Sequence, residues 1–93
     1  MDVVAEGPWA WMLYVDGDRH VLCVVCGTVA VYELAMQLRP DEVDAFRAGG
    51  AAALDRLARQ VADAPRRFWD RNLPGFNDEP GVREATQRWV DQR

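Results

Sequence analysis

The chain contains no Ser, no Lys and no Ile, and it holds a single His (His20) and two Cys (Cys23 and Cys26). Each absence closes a route to chemistry. Without Ser there is no serine hydrolase, and without Lys there is neither a Schiff base nor the phosphate-gripping side chain of a P-loop. No apolar run approaches the roughly 20 residues that span a bilayer. The opening residues Met1-Asp2-Val3-Val4-Ala5-Glu6 are acidic and lack the basic stretch of a secretory leader. The expectation is a cytoplasmic protein with no membrane association, no enzymatic activity, no cofactor and no metal.

What is present is an ordinary globular composition, 49% apolar and 28% charged over 93 residues, enough for one domain with a modest core. All eleven basic residues are Arg. Residues 1–45 carry eight acids against two Arg, and residues 46–93 seven acids against nine Arg. The Arg alternate with acids rather than forming a basic stripe, which argues against nucleic acid. The acidic first half suits a basic partner surface.

Patterning divides the chain into a β part, about 9–38, and a helical part, about 40–92. Residues 9–15 are rich in aromatic and branched side chains and run into Asp16-Gly17-Asp18-Arg19, a hairpin signal. Residues 20–26 make a second strand, Gly27-Thr28 a tight turn, and residues 29–38 a third strand. With two-residue loops, Met12 falls opposite Cys23 and Tyr14 opposite Val21, while Val25 faces Ala30, Cys23 faces Tyr32 and Val21 faces Leu34. One sheet face is then uniformly apolar. The other, holding Trp9 and Trp11, is also largely apolar and needs a cover: the C-terminal segment, a second copy of the chain, or a partner.

Pro40 begins a helix, with Asp41, Glu42 and Asp44 at the positive end of its dipole. Apolar residues at Val43, Phe46, Gly50, Leu54, Leu57 and Val61 place one buried stripe on a single long helix that ends near Ala64. Gly49-Gly50 lies in its middle, for close approach to the sheet or for a kink. Pro65 opens a short helix through Asp70, Leu73-Pro74-Gly75-Phe76 makes a turn, and Pro80 starts a last helix with Val82, Ala85 and Trp89 inward. The fold class is α+β: a three-stranded antiparallel β-meander, then a long helix and two shorter helices packed on the sheet.

His20-x2-Cys23-x2-Cys26 has metal-like spacing, but strand alternation points the two thiols to opposite faces and no further ligand pair exists. Both Cys are expected as core thiols, with no disulfide in a reducing compartment. The candidate partner-binding residues are Trp9 and Trp11 on the uncovered face, rimmed by Asp16, Asp18, Glu33, Asp41, Glu42 and Asp44.

The stretches Val21-Leu22-Cys23-Val24-Val25-Cys26-Gly27-Thr28-Val29-Ala30-Val31-Tyr32-Glu33 and Leu38-Arg39-Pro40-Asp41-Glu42-Val43-Asp44-Ala45-Phe46-Arg47-Ala48-Gly49-Gly50 carry a resemblance. So do Leu54-Asp55-Arg56-Leu57-Ala58-Arg59-Gln60-Val61 and Pro65-Arg66-Arg67-Phe68. Together, over about residues 9–71, the pattern resembles small bacterial immunity proteins encoded beside polymorphic or secreted interbacterial toxins. The resemblance implies stoichiometric inhibition of a cognate toxin in the cytoplasm, often by plugging its active site, and assigns no role to any single residue. The alternative is a homodimeric adaptor or secretion chaperone that pairs through the outer sheet face.

Overall fold

The computed structural model describes residues 1–93. Four antiparallel strands lie in sequence order: β1 (Asp2–Gly7), β2 (Trp11–Asp16), β3 (Arg19–Cys26) and β4 (Tyr32–Gln37). The helices are α1 (Pro40–Gly49), α2 (Ala51–Asp63) and α3 (Val82–Gln92), with 3-10 segments at Pro65–Arg71 and Phe76–Asp78. The α+β class stands, with a fourth strand that the patterning does not predict. β1 carries a bulge at Val4, where the register slips between Val3 and Ala5, and this interrupts the alternation that marks a strand.

The β2–β3 hairpin forms as its turn chemistry requires. Asp16 pairs with Arg19 across Gly17-Asp18, Gly17 takes a positive φ, and Met12–Cys23 and Tyr14–Val21 are in register. The next turn departs from expectation. Five residues, 27–31, join β3 to β4, so Val25 pairs with Glu33, Cys23 with Ala35 and Val21 with Gln37. The three-residue shift relative to a two-residue loop is odd, and strand side chains alternate, so every β4 side chain lies on the face opposite to the predicted one.

Both faces of the sheet are covered by the same chain. On one side Trp11, Leu13, Leu22, Val24, Cys26, Leu34 and Met36 pack against Leu54, Ala58 and Val61 of α2. On the other Val3, Tyr14, Val21, Cys23 and Ala35 pack against Phe76 and against Val82 and Ala85 of α3. This three-layer arrangement explains why neither face reads as polar. It also removes the outer sheet face as a dimer surface, because α2 occupies it. The C-terminal helix, considered above as a cover for the Trp9/Trp11 face, lies on the opposite one.

The predicted long helix is two helices. Gly50 sits between α1 and α2 at φ 64° and ψ −149°, a conformation that an L side chain resists, and the chain changes direction there. α1 buries no residue fully, whereas α2 contributes the core stripe.

Gly7 is set by close approach. A Cβ at this position would overlap the Trp11 indole at Nε1. Gly7→Ala is expected to push the indole out of its seat and lower stability by about 1–3 kcal/mol, the usual cost of overpacking. Urea unfolding of the two proteins measures it, with Trp fluorescence reporting the displaced ring.

Candidate functional site

β2, β3 and β4 place two sets of loops at opposite ends of the sheet. One end holds the β1–β2 turn, the 27–31 loop and the start of β4. The other holds the β2–β3 hairpin and the β4–α1 junction, joined where the Leu38 N–H donates to the His20 carbonyl. The length of β2, from Trp11 to Asp16, separates them by about 17 Å at roughly 3.3 Å per residue.

The first end is distinctive. The Gly7 carbonyl accepts the Ala10 N–H at 2.8 Å, closing a tight turn with Pro8 and Trp9 at its centre. Trp9 has φ 65°, the one non-Gly residue of the chain with a positive φ. A turn with Pro second and positive φ third is type II, and its third position normally falls to Gly or Asn. A bulky aromatic there carries strain of about 1–3 kcal/mol, and the indole gains no packing in return, since it is 97% exposed.

Around this end stand further exposed apolar side chains. Val29 is fully exposed, Val31 and Tyr32 are exposed, and Trp69 is 56% exposed and meets Tyr32 edge to face with ring centroids 6.4 Å apart. A groove of 210 Å³ opens beside Trp9, lined by Met12, Cys23, Val25, Glu33 and Thr86. Its wall is fixed by Tyr14, which hydrogen-bonds Thr86 at 2.7 Å while Thr86 donates to the Val82 carbonyl at 2.9 Å. Burial pushes the Tyr14 hydroxyl pKa up. Burial, with the Glu33 carboxylate adding, pushes the Cys23 thiol up to about 12. Burial raises Cys26 as well. Both thiols are therefore protonated at neutral pH and behave as small apolar groups. They lie on opposite faces of the sheet, Cys23 under α3 and Cys26 under α2. His20 is buried, with Nδ1 3.1 Å from the Asp18 carbonyl. No three His, Cys, Asp or Glu side chains converge in a way that could hold a metal ion.

The structure divides the residues singled out above. Trp9 and Glu33 share the first end, and Glu33 accepts a hydrogen bond from Asn77 at 3.1 Å. Trp11 is 3% exposed, and its indole N–H donates to Asp55 at 2.7 Å. Contrary to expectation, its ring is an element of the core, because Trp11 begins β2 on the face that α2 covers, whereas Trp9 lies in the turn outside the strand. Asp16 and Asp18 sit at the hairpin on the opposite end, with Asp41, Glu42 and Asp44 on α1. Asp41 is ion-paired to Arg39, while Asp16, Asp18 and Asp44 form no ion pair. The acids therefore do not rim Trp9. Sequence reasoning missed Tyr32 and Val31, because the two-residue turn draws Val29 and Val31 into a strand and turns Tyr32 inward, while Trp69, one of four Trp weighed as anchors, meets Tyr32 only through the tertiary fold.

Glu42 has a structural task. Its side chain is 10% exposed, takes both terminal nitrogens of Arg71, and accepts the backbone N–H of Arg39 at 2.8 Å. Arg71 also donates to the Gln37 carbonyl, tying α1, β4 and the first 3-10 segment together. Burial pushes the Glu42 carboxyl up, but the Arg71 and Arg39 hydrogen bonds outweigh it, and the pKa lies below its ordinary 4.5. A depressed carboxyl contributes stability that is complete above its unfolded value and is lost as pH falls through its folded value. Stability is expected to decline below about pH 4.5. Glu42→Gln is expected to cost about 1–2 kcal/mol at pH 7 and to flatten that decline. Urea unfolding from pH 7 to pH 3 compares the two proteins.

Comparison with protein-family models, with curated proteins and with solved structures gives no match to this chain. No helix is long and apolar enough to cross a membrane. The site stands on its geometry alone: an aromatic and branched apolar end built around a strained, fully presented indole.

Proposed function

We propose that the chain is a small inhibitory partner protein that binds a cognate antibacterial toxin in the cytoplasm, in the manner of an immunity protein, and that its Trp9 end is the contact surface. One observation carries the reading. Trp9 is held 97% exposed in a backbone conformation that costs free energy and contributes nothing to the core. Local strain of this kind is retained where the side chain is used. A rigid turn presents the ring without a loss of loop entropy on binding, and Trp is enriched among the anchors of tight protein interfaces. Val29, Val31, Tyr32 and Trp69 supply the apolar surround that excludes water, and the groove beside Trp9 offers a receiving surface for a partner side chain.

The acids act at a distance in this reading. The net charge of −4 favours encounter with a basic surface such as the site of a toxin that handles nucleic acid or nucleotides, and Asp16, Asp18 and Asp44, about 17 Å from the Trp9 end and beyond a Debye length of about 8–10 Å at physiological salt, contribute to that attraction only at low salt. Reversing the three charges together is expected to slow association about tenfold at low salt and to leave dissociation unchanged, as measured by surface plasmon resonance.

The deciding experiment is co-expression of the tagged chain with the reading frame next to it, followed by the mass and stoichiometry of the purified species. A one-to-one complex, and relief of growth arrest caused by the neighbouring product, are the expected results. A neighbouring product that arrests growth equally with and without this chain overturns the reading.

A further inference from the structure

β4 is an edge strand, and the chain covers only half of its open side. The Leu73 N–H donates to the Ala35 carbonyl at 2.7 Å, the Asn72 side chain accepts the Ala35 N–H at 3.3 Å, and Arg71 donates to the Gln37 carbonyl at 2.8 Å. Residues 71–73 thus cover this part of the edge through one β-bridge, Asn72 with Met36, and the side chains of Arg71 and Asn72. The cover stops there, as Pro74 and Gly75 carry the chain away.

Two residues further along β4, Glu33 continues the same ladder pattern. Ala35 and Glu33 are both odd-numbered, and in an antiparallel pair the bonding direction alternates. Ala35 directs its N–H and C=O to the edge, so Glu33 does the same. The neighbouring strand agrees: Val25, opposite Glu33, gives its N–H to the carbonyl of Ala10, just before β2, and not to β4. Glu33 is exposed, and neither its N–H nor its carbonyl takes part in any loop or side-chain hydrogen bond. An open edge flanked by exposed Val29 and Val31 is what natural sheets normally block with Lys, Pro or a bulge.

The side chains beside the gap define what fits it. Tyr32, Pro65, Arg66 and Trp69 line a shallow hollow of 430 Å³. Arg66 is exposed and belongs to no ion pair. In a strand laid against β4, the residue opposite Glu33 points toward the α3 side and its neighbours point over Tyr32. Those neighbours meet the aromatic hollow first and the Arg66 guanidinium next.

We infer that the uncovered edge of β4 at Glu33 accepts an extended segment of a protein partner by strand addition, and that the segment places an apolar residue in the Tyr32–Trp69 hollow with an acidic residue against Arg66. Main-chain bonds to Glu33 set the register, and the hollow with Arg66 sets the sequence preference. A second copy of this chain is disfavoured as occupant, because antiparallel self-pairing centred on Glu33 sets two Glu33 carboxylates directly opposite each other. The inference rests on the reading of the chain as a protein-binding module, and it names the part of the partner that is gripped.

The test selects on the intact chain from a displayed library of random peptides of about ten residues, long enough to add one strand. The enriched peptide is then synthesised and titrated while amide hydrogen exchange is followed. The expected peptides pair an apolar residue with Asp or Glu two positions away. Binding slows exchange of the Glu33 amide at least about tenfold, and Arg66→Glu weakens binding about tenfold with the melting temperature unchanged. Arg66 is exposed and unpaired, so that variant folds. Failure to enrich any peptide, enriched peptides without acids, or a bound peptide that leaves Glu33 exchange unchanged overturns the inference. So does Glu33 protection produced by the chain alone at high concentration with dimerisation, or by a single-stranded oligonucleotide. If the complex with the neighbouring product forms while no peptide docks at Glu33, strand addition fails and the inhibitory reading stands. A peptide that docks at Glu33 without any effect on the neighbouring product gives the reverse result.

Discussion

Trp9→Ala is expected to weaken the complex with the neighbouring product about a hundredfold, chiefly through faster dissociation, and to leave the melting temperature of the free chain within about 2 °C. The asymmetry follows from the position of the ring. At 97% exposure the indole touches almost nothing in the free protein, so its removal costs the fold little. In the complex it is the largest apolar group available for burial at that end. Trp9→Gly sharpens the test. The positive φ of 65° that strains a Trp is natural for Gly, so this variant is expected to gain about 0.5–1 kcal/mol of stability while losing the same affinity. Opposite signs for stability and binding at one residue are not produced by a merely structural role. Isothermal titration and thermal melts of the three proteins settle it, and unaltered affinity in both variants removes Trp9 from the contact.

Phe76→Ala is expected to have the largest effect on stability, a loss of about 3–5 kcal/mol. Phe76 is the largest fully buried side chain of the α3-side core and lies edge-on to Tyr14 with ring centroids 5.2 Å apart. The Arg19 guanidinium carbon sits 5.7 Å from the ring centroid, held there by Glu79 at 2.8 Å. One ring therefore joins the second 3-10 segment, β2 and the start of β3. A domain of this size has a total stability of about 5–15 kcal/mol, so the loss is a large fraction of it. The melting temperature is expected to fall by more than about 15 °C. A second readout locates the damage. Cys23 lies in the same cluster with its thiol pushed up to about 12, so it resists alkylation in the native chain. In the variant, opening of the α3 layer is expected to expose it to a thiol reagent before Cys26, which is held under α2. Equal modification rates of the two thiols would mean that unfolding is global.

The surface at the Trp9 end shows how far residue patterns reach. Trp9 was legible as a candidate because its expected place in a strand over 9–15 put it with Trp11 on the uncovered face, although its role as a turn residue before β2 was not. Trp11 carried the same signal and proved to be core. The two differ by their positions relative to the end of β2, and pattern alone cannot distinguish a ring that projects from a turn from one that begins a strand. Trp69 and Tyr32 come together from the 3-10 segment and β4, across residues that no local period connects. The acids split between the two ends for a related reason: adjacency in sequence around Pro40 and Gly17 says nothing about which end of a sheet each turn occupies.

By itself the sequence determined the α+β class, the hairpin at Gly17 with its register, the helix start at Pro40 and the inward face of the last helix. These are local: turn chemistry, proline geometry and a period of two or 3.6 act within a few residues. Tertiary structure alone decided the facing of β4, the break at Gly50, the strand β1 and the covering of both sheet faces. The facing of β4 depends on the parity of the 27–31 loop, and one residue more or less there turns every following side chain over. The break at Gly50 lets α2 lie along Leu13, Leu22 and Leu34 while α1 stays at the rim. β1 is completed by pairing with β2 and by contacts with the C-terminal segment more than eighty positions away, as in Arg93 with Glu6 and Arg88 with Asp2.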